Sequence, residues 1–218
     1  VISWQSVGQD AVATYGVYAQ RYDASGDTVG VTSLTGTAGN ETIVLDAGVT
    51  ATHIDLAGGT DSLTLANATN AVSVSNTETI TGGTGNDFVT LGVAQASGTI
   101  DLGAGTDLLR LADGGNTLSV ANVETIYGGT GADILTVSGT AAVNFQGFAG
   151  NDTITVSGSV GAKITGGTGN DTLNGGTGAD TFIYTATTLN SGDMATMATD
   201  TTNAAAGDVI DMTAALEG

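Results

Sequence analysis

The feature that most constrains this chain is a six-residue phrase in which glycines crowd ahead of a single acid. It reads GTAGNE from Gly36, LAGGTD from Leu56, GGTGND from Gly82, LGAGTD from Leu102, GGTGAD from Gly128, GFAGND from Gly147 and GGTGND from Gly166. The spacings are 20, 26, 20, 26, 19 and 19 residues, and one more copy, GGTGAD from Gly175, follows after only 9. A longer period lies over this one. Residues 35–80 align without a gap on residues 81–126, an offset of 46 with 21 identities, and a shorter third copy opens at Tyr127. Fixed-period self-similarity of this kind belongs to stacked repeats, each unit burying its apolar face only against its neighbours.

The segments between the phrases alternate. Ile43 and Leu45, Leu63 and Leu65, Val89 and Leu91, Leu109 and Leu111, Leu135 and Val137, and Ile154 and Val156 each flank a single intervening residue, most often Thr. Period two with β-branched residues predicts half-buried strands. Return strands precede the phrases at Ile54/Leu56, Val72/Val74, Ile100/Leu102, Leu118/Val120 and Val143/Phe145. The expected fold is all-β, a parallel β-solenoid. A coil of about 19 residues goes out along one strand and returns along another, and coils stack at roughly 4.8 Å. The 26-residue spacings predict an extra bulge or third strand near residues 66–71 and 112–117.

Stacking at this period puts seven acids above one another on one edge: Glu41, Asp61, Asp87, Asp107, Asp133, Asp152 and Asp171. Like charges at strand spacing repel. A hard divalent cation between them reverses the sign, and Ca²⁺ accepts carboxylate and carbonyl oxygens in flexible geometry. Glycine allows positive φ and leaves no Cβ between backbone and ion. Gly83, Gly85, Gly129, Gly131, Gly167 and Gly169 are the glycines expected to shape such cages, and Asp180 closes the last turn.

Four nine-residue stretches, GGTGNDFVT, GGTGADILT, GGTGNDTLN and GGTGADTFI, match G-G-x-G-x-D-x-U-x, where U is large and apolar. The chain therefore resembles the RTX (hemolysin-type) calcium-binding repeat family over about residues 35–185. GFAGND departs at one glycine, and LAGGTD, LGAGTD and GTAGNE are degenerate, with Glu41 in place of Asp. The resemblance implies a β-roll with several Ca²⁺ held between turns stacked on a shared edge, secretion of the type I kind, and an extracellular or cell-surface location. Until Gly175 a single edge carries the turn in this reading, so one calcium-binding edge is expected. The expected divisions are an N-terminal β segment or cap at 1–33, the solenoid at 34–185 and a C-terminal cap or tail at 186–218.

Charge narrows the function further. Twenty-two acids face three basic residues, a formal net charge of -19, which opposes nucleic acid and anionic membranes as partners. It also makes a metal-free chain repel itself. No apolar run is long enough to insert in a membrane. His53 is the only histidine, so no Ser-His-Asp set and no histidine metal cluster is expected. Glu78, Glu124, Asp55 and Asp101 read as outward strand positions. The chain reads as non-enzymatic: a secreted calcium-binding structural protein that self-associates into a surface layer, filament or adhesive matrix. The alternative is a calcium-folding accessory region of a larger secreted enzyme or toxin.

Overall fold

The computed structural model describes residues 33–157 and 161–184 in full, together with four short backbone strands outside them. Three of those, β1 (Ile2–Gln5), β2 (Tyr18–Tyr22) and β3 (Thr28–Val29), form a small antiparallel sheet. The remainder of the expected caps lies outside the described residues. Among the described residues no helix is long and apolar enough to cross a membrane.

The body is a parallel β-solenoid, all-β as the alternation predicts, made of two sheets that the chain visits in turn. The first sheet holds β4 (Ser33–Thr37), β6 (Thr52–Ala57), β8 (Asn70–Ser75), β10 (Asp87–Leu91), β12 (Leu108–Arg110), β14 (Thr125–Gly129), β16 (Asn144–Phe148), β18 (Lys163–Thr165) and β20 (Thr181–Ile183). The second holds β5 (Thr42–Val44), β7 (Ser62–Thr64), β9 (Thr79–Gly83), β11 (Thr99–Gly103), β13 (Thr117–Ala121), β15 (Ile134–Ser138), β17 (Thr153–Ser157) and β19 (Thr172–Asn174). A final strand, β21 (Val209–Asp211), pairs with β20 through Phe182 and Ile210.

Register is fixed by the inward residues. In the first sheet Val72, Val89, Leu109, Ile126, Phe145, Ile164 and Phe182 lie one above another. In the second, Ile43, Leu63, Ile80, Ile100, Val120, Val137 and Val156 do the same. All are buried in one continuous core. A one-residue slip would move a whole column into water, so the pattern admits a single register. The outward neighbours in the second sheet are mostly hydroxylic: Thr42, Ser62, Thr79, Thr99, Ser119, Thr136 and Thr155 form an unbroken column.

The long repeat has a different meaning from the one its spacing suggests. Thr42 lies in β5 and its repeat mate Phe88 in β10, five half coils on, so 46 residues span two and a half coils. Each copy therefore begins on the opposite side of the solenoid from the last. The 26-residue spacings do contain a third strand, β8 or β13. It is no bulge, but an ordinary half coil whose far turn carries Glu78 or Glu124 instead of a glycine phrase. The single acid edge is corrected accordingly. Glu41, Asp61, Asp133, Asp152 and Asp171 lie where the chain passes from the first sheet to the second, whereas Asp87, Asp107 and Asp180 lie where it returns.

Candidate metal centre

Each edge carries one ladder position per coil. On the edge leading out of the first sheet the positions are Glu41, Asp61, Glu78, Gln95, Asn116, Asp133, Asp152 and Asp171. On the return edge they are Val49, Asn70, Asp87, Asp107, Glu124, Val143, Ala162 and Asp180. A repeated hydrogen bond runs along most of each column: where a position carries Asp, Asn or Glu, its side-chain oxygen accepts the backbone N–H of the position before, whereas Gln95 Oε1 has no donor. Glu41 N donates to Asp61 Oδ1 at 2.7 Å, and Asp61 N to Glu78 Oε2 at 2.7 Å. Asn116 N donates to Asp133 Oδ1, Asp133 N to Asp152 Oδ1 and Asp152 N to Asp171 Oδ1, each at 2.9 Å. Across the solenoid, Asp87 N donates to Asp107 Oδ1 and Asp107 N to Glu124 Oε2, both at 2.7 Å, and Ala162 N donates to Asp180 Oδ1 at 2.7 Å.

Glu78 and Glu124 thus belong to the columns and are not the outward strand residues expected of them. Their shorter turns have no glycine phrase, so only coil spacing could have flagged them: each lies 17 residues beyond the acid it caps. Asp55 and Asp101 do lie half-buried on strand faces, where Asn76 and Asn122 donate to them. That bond, with the Ala57 amide, holds the Asp55 carboxyl below its usual range.

One oxygen of each aspartate is committed to a backbone amide; the other tells a different story. Oδ2 of Asp61, Asp87, Asp107, Asp133 and Asp152 is buried and has no hydrogen-bond donor. A buried acceptor without a partner costs free energy, and a buried anion costs more. Burial pushes the Asp152 carboxyl up to about 7 against the pull of the Asp133 amide, and the neighbouring carboxylates of Asp171 and Asp133 add to the rise. Burial likewise lifts Asp107 to about 6 and raises Asp61 and Asp133. Glu41 differs: its longer side chain turns back so that Thr37 donates to it through both hydroxyl and backbone N–H.

The glycines explain how these oxygens come together. A Cβ on Gly128 would lie 2.5 Å from the Gly147 carbonyl of the next coil and 3.1 Å from Asp133 Oδ2. A Cβ on Gly147 would overlap both the Gly166 carbonyl and Asp152 Oδ2. The first glycine of the phrase is therefore absent of side chain because oxygens from two coils converge there. The six predicted cage glycines serve the same closeness from the other side. Gly83 and Gly85 abut the turn at residues 66–69, Gly129 and Gly131 the turn at 112–114, and Gly167 and Gly169 the turn at 148–150. Gly167 and Gly169 also have φ of +112° and +132°, conformations that L side chains rarely adopt.

Among the described residues no three of His, Cys, Asp or Glu gather at one point. A cation here would draw its ligands from carboxylates and backbone carbonyls together, the donor set of a hard ion such as Ca²⁺. A family model, the RTX calcium-binding nonapeptide repeat (4 copies), matches residues 74–93, 121–140 and 162–185. These windows contain the glycine phrases that end in Asp87, Asp133, Asp171 and Asp180. The chain carries RTX calcium-binding nonapeptide repeats. Its bound ion is Ca²⁺. No curated protein and no solved structure matches the chain. The orphaned buried oxygens and the oxygen-lined glycine positions fit that ion, which supplies the positive charge the RTX turns lack. RTX repeats of this kind are typically non-catalytic, and proteins that carry them are typically secreted.

Proposed function

We propose that this RTX protein is a secreted structural component whose fold is driven by Ca²⁺ and which self-associates outside the cell into a layer, filament or adhesive matrix. The observation that carries the reading is the pair of columns in which buried Asp Oδ2 atoms have no donor. Two glycine phrases adjoin on one edge at four places: Glu41/Asp61, Asp87/Asp107, Asp133/Asp152 and Asp152/Asp171. These gaps would take about four ions, fewer than the six of a single unbroken row of seven turns. The Asp180 phrase has Ala162 and Val143 before it on its edge, so its ion would rest on that one turn. Without the ions the carboxylates repel along both columns and the net charge of -19 opposes compaction. With them, binding to the folded state alone stabilises it by linkage.

Self-association is supported by the quasi-one-dimensional architecture. β4 and β5 each have one sheet neighbour among the described residues, and an end strand offers backbone groups to a second chain. The test is a Ca²⁺ titration from EGTA followed by far-UV circular dichroism, with Mg²⁺ as control. A rise in β signal and in melting temperature specific to Ca²⁺, starting from a weakly folded state in EGTA, is expected. A full β signal in EGTA that ignores Ca²⁺ would refute calcium-driven folding. Sedimentation velocity in millimolar Ca²⁺ tests assembly separately, and a lone monomer there would refute it.

A further inference from the structure

Asn70 and Asn116 are repeat mates, 46 residues apart, one on each edge and both fully buried. Each occupies a ladder position that acids hold in neighbouring coils. The Oδ1 of each does what an aspartate Oδ1 does, accepting the backbone N–H of the preceding coil, from Val49 at 3.3 Å and from Gln95 at 3.1 Å. The other branch of the side chain differs. Asn70 Nδ2 donates to the Ala66 carbonyl at 3.1 Å, the Ala68 carbonyl at 2.7 Å and Asp87 Oδ1 at 2.7 Å. Asn116 Nδ2 donates to the Ala112 carbonyl at 3.0 Å, the Gly114 carbonyl at 2.9 Å and Asp133 Oδ1 at 2.8 Å. Both amides thus meet the same three oxygens: the carbonyls four and two residues earlier and a carboxylate of the next coil.

We propose that Asn70 and Asn116 stand in for the cation, so that these two rungs close without Ca²⁺ and give the RTX solenoid a metal-independent rung on each edge. The chemistry follows from the shared Oδ1 bond. With Oδ1 fixed, replacing Asn by Asp turns the second branch from a donor into an acceptor facing carbonyls and a carboxylate. That branch would then be buried without a donor, as the Oδ2 atoms of Asp107 and Asp152 are. An amide N–H₂ satisfies such a pocket with partial positive charge; a carboxylate needs an ion. Each asparagine rung also adjoins a glycine phrase in the next coil, ending in Asp87 or Asp133. It would therefore set the spacing of the first carboxylate turn before any ion arrives.

This inference rests on the reading of the aspartate rungs as ion sites, and the test separates the two. Asn116→Asp and Asp152→Asn are compared with the unaltered chain by melting in EGTA and by calorimetric Ca²⁺ stoichiometry. Asn116→Asp should melt roughly 3–10 °C lower in EGTA, recover in Ca²⁺ and take up one more ion. Asp152→Asn should melt higher in EGTA and bind fewer ions. An Asn116→Asp chain with unchanged melting and unchanged stoichiometry would overturn the proposal. Should Asn116→Asp fold in neither condition, Asp152→Asn decides: a higher EGTA melting point supports the amide as surrogate, and an equal or lower one overturns it. Should the unaltered chain bind no Ca²⁺, the ion-site reading fails, while the two EGTA melts still decide the role of the amides.

Discussion

Gly58 and Gly59 are adjacent in LAGGTD, and the structure assigns them opposite tolerances. Around a Cβ on Gly58 there is nothing within 4 Å, and its φ is ordinary. Gly59 has φ of +145°, and a Cβ there would overlap the carbonyl of Gly39 in the preceding coil. The Gly39 backbone cannot withdraw cheaply, because bonds on either side of Gly59 pin the two coils. Gly58 N donates to the Thr37 carbonyl at 2.9 Å and Thr60 N to Asn40 Oδ1 at 2.9 Å. Gly59→Ala therefore meets about 1–3 kcal/mol of backbone strain. It also weakens those two hydrogen bonds, at about 1 kcal/mol each. The sum is about 3–5 kcal/mol, a large share of the ~5–15 kcal/mol that holds a domain folded. Gly58→Ala should change stability by less than about 1 kcal/mol, and the favoured direction is a gain from the stiffer unfolded chain. Urea unfolding in saturating Ca²⁺, followed by circular dichroism, reads the difference. With a slope of about 1–3 kcal/mol per molar urea, Gly59→Ala should lower the midpoint by at least about 1 M, with Gly58→Ala near the unaltered chain. Equal midpoints for the two variants would show that coil contact does not dictate the glycines.

Two further outcomes follow from the same turns. Asp107 and Asp152 hold their protons to about pH 6 and about pH 7 in the folded chain, against an ordinary value of 3.8. Between those limits the folded state binds more protons than the unfolded state, so stability in EGTA falls as pH rises from about 4 to about 7. Melting in EGTA at pH 5 and pH 8 should show the acidic sample more stable, with the gap closing in saturating Ca²⁺; a metal-free chain that gains stability toward pH 8 would contradict this. Ala57 stands at the second-glycine position of its phrase with φ of +68° and an exposed side chain, so Ala57→Gly should stabilise by about 1 kcal/mol in the same urea assay. Phe148 has the same strain at φ of +71°, but its ring lies 6.0 Å from that of Tyr127, which makes Ala57 the cleaner test.

What the sequence made legible was whatever depends on local period. Alternation at Ile43/Leu45 or Leu135/Val137 names strands and their buried face because a strand has only two sides. The acid phrases name the ion because glycine and carboxylate together suit little else. The edge on which each phrase sits was not legible, since spacing along a chain counts residues and not half coils. A step of 26 reads as one swollen coil. It is in fact a 17-residue coil from Asp61 to Glu78 followed by a 9-residue half coil to Asp87. The hidden rungs share one reason for being missed. Glu78, Glu124, Asn70 and Asn116 make the same cross-coil hydrogen bond as the aspartates. The bond asks only for an oxygen at the end of a short side chain, which Asp, Asn and Glu all provide. A pattern built on the ion finds only the glycine phrases, while another requirement, capping a backbone N–H in the coil before, runs through most rungs of both columns. The acids are thus first of all caps between coils. On the ion-site reading proposed above, a cation would bind through the oxygen that capping leaves over.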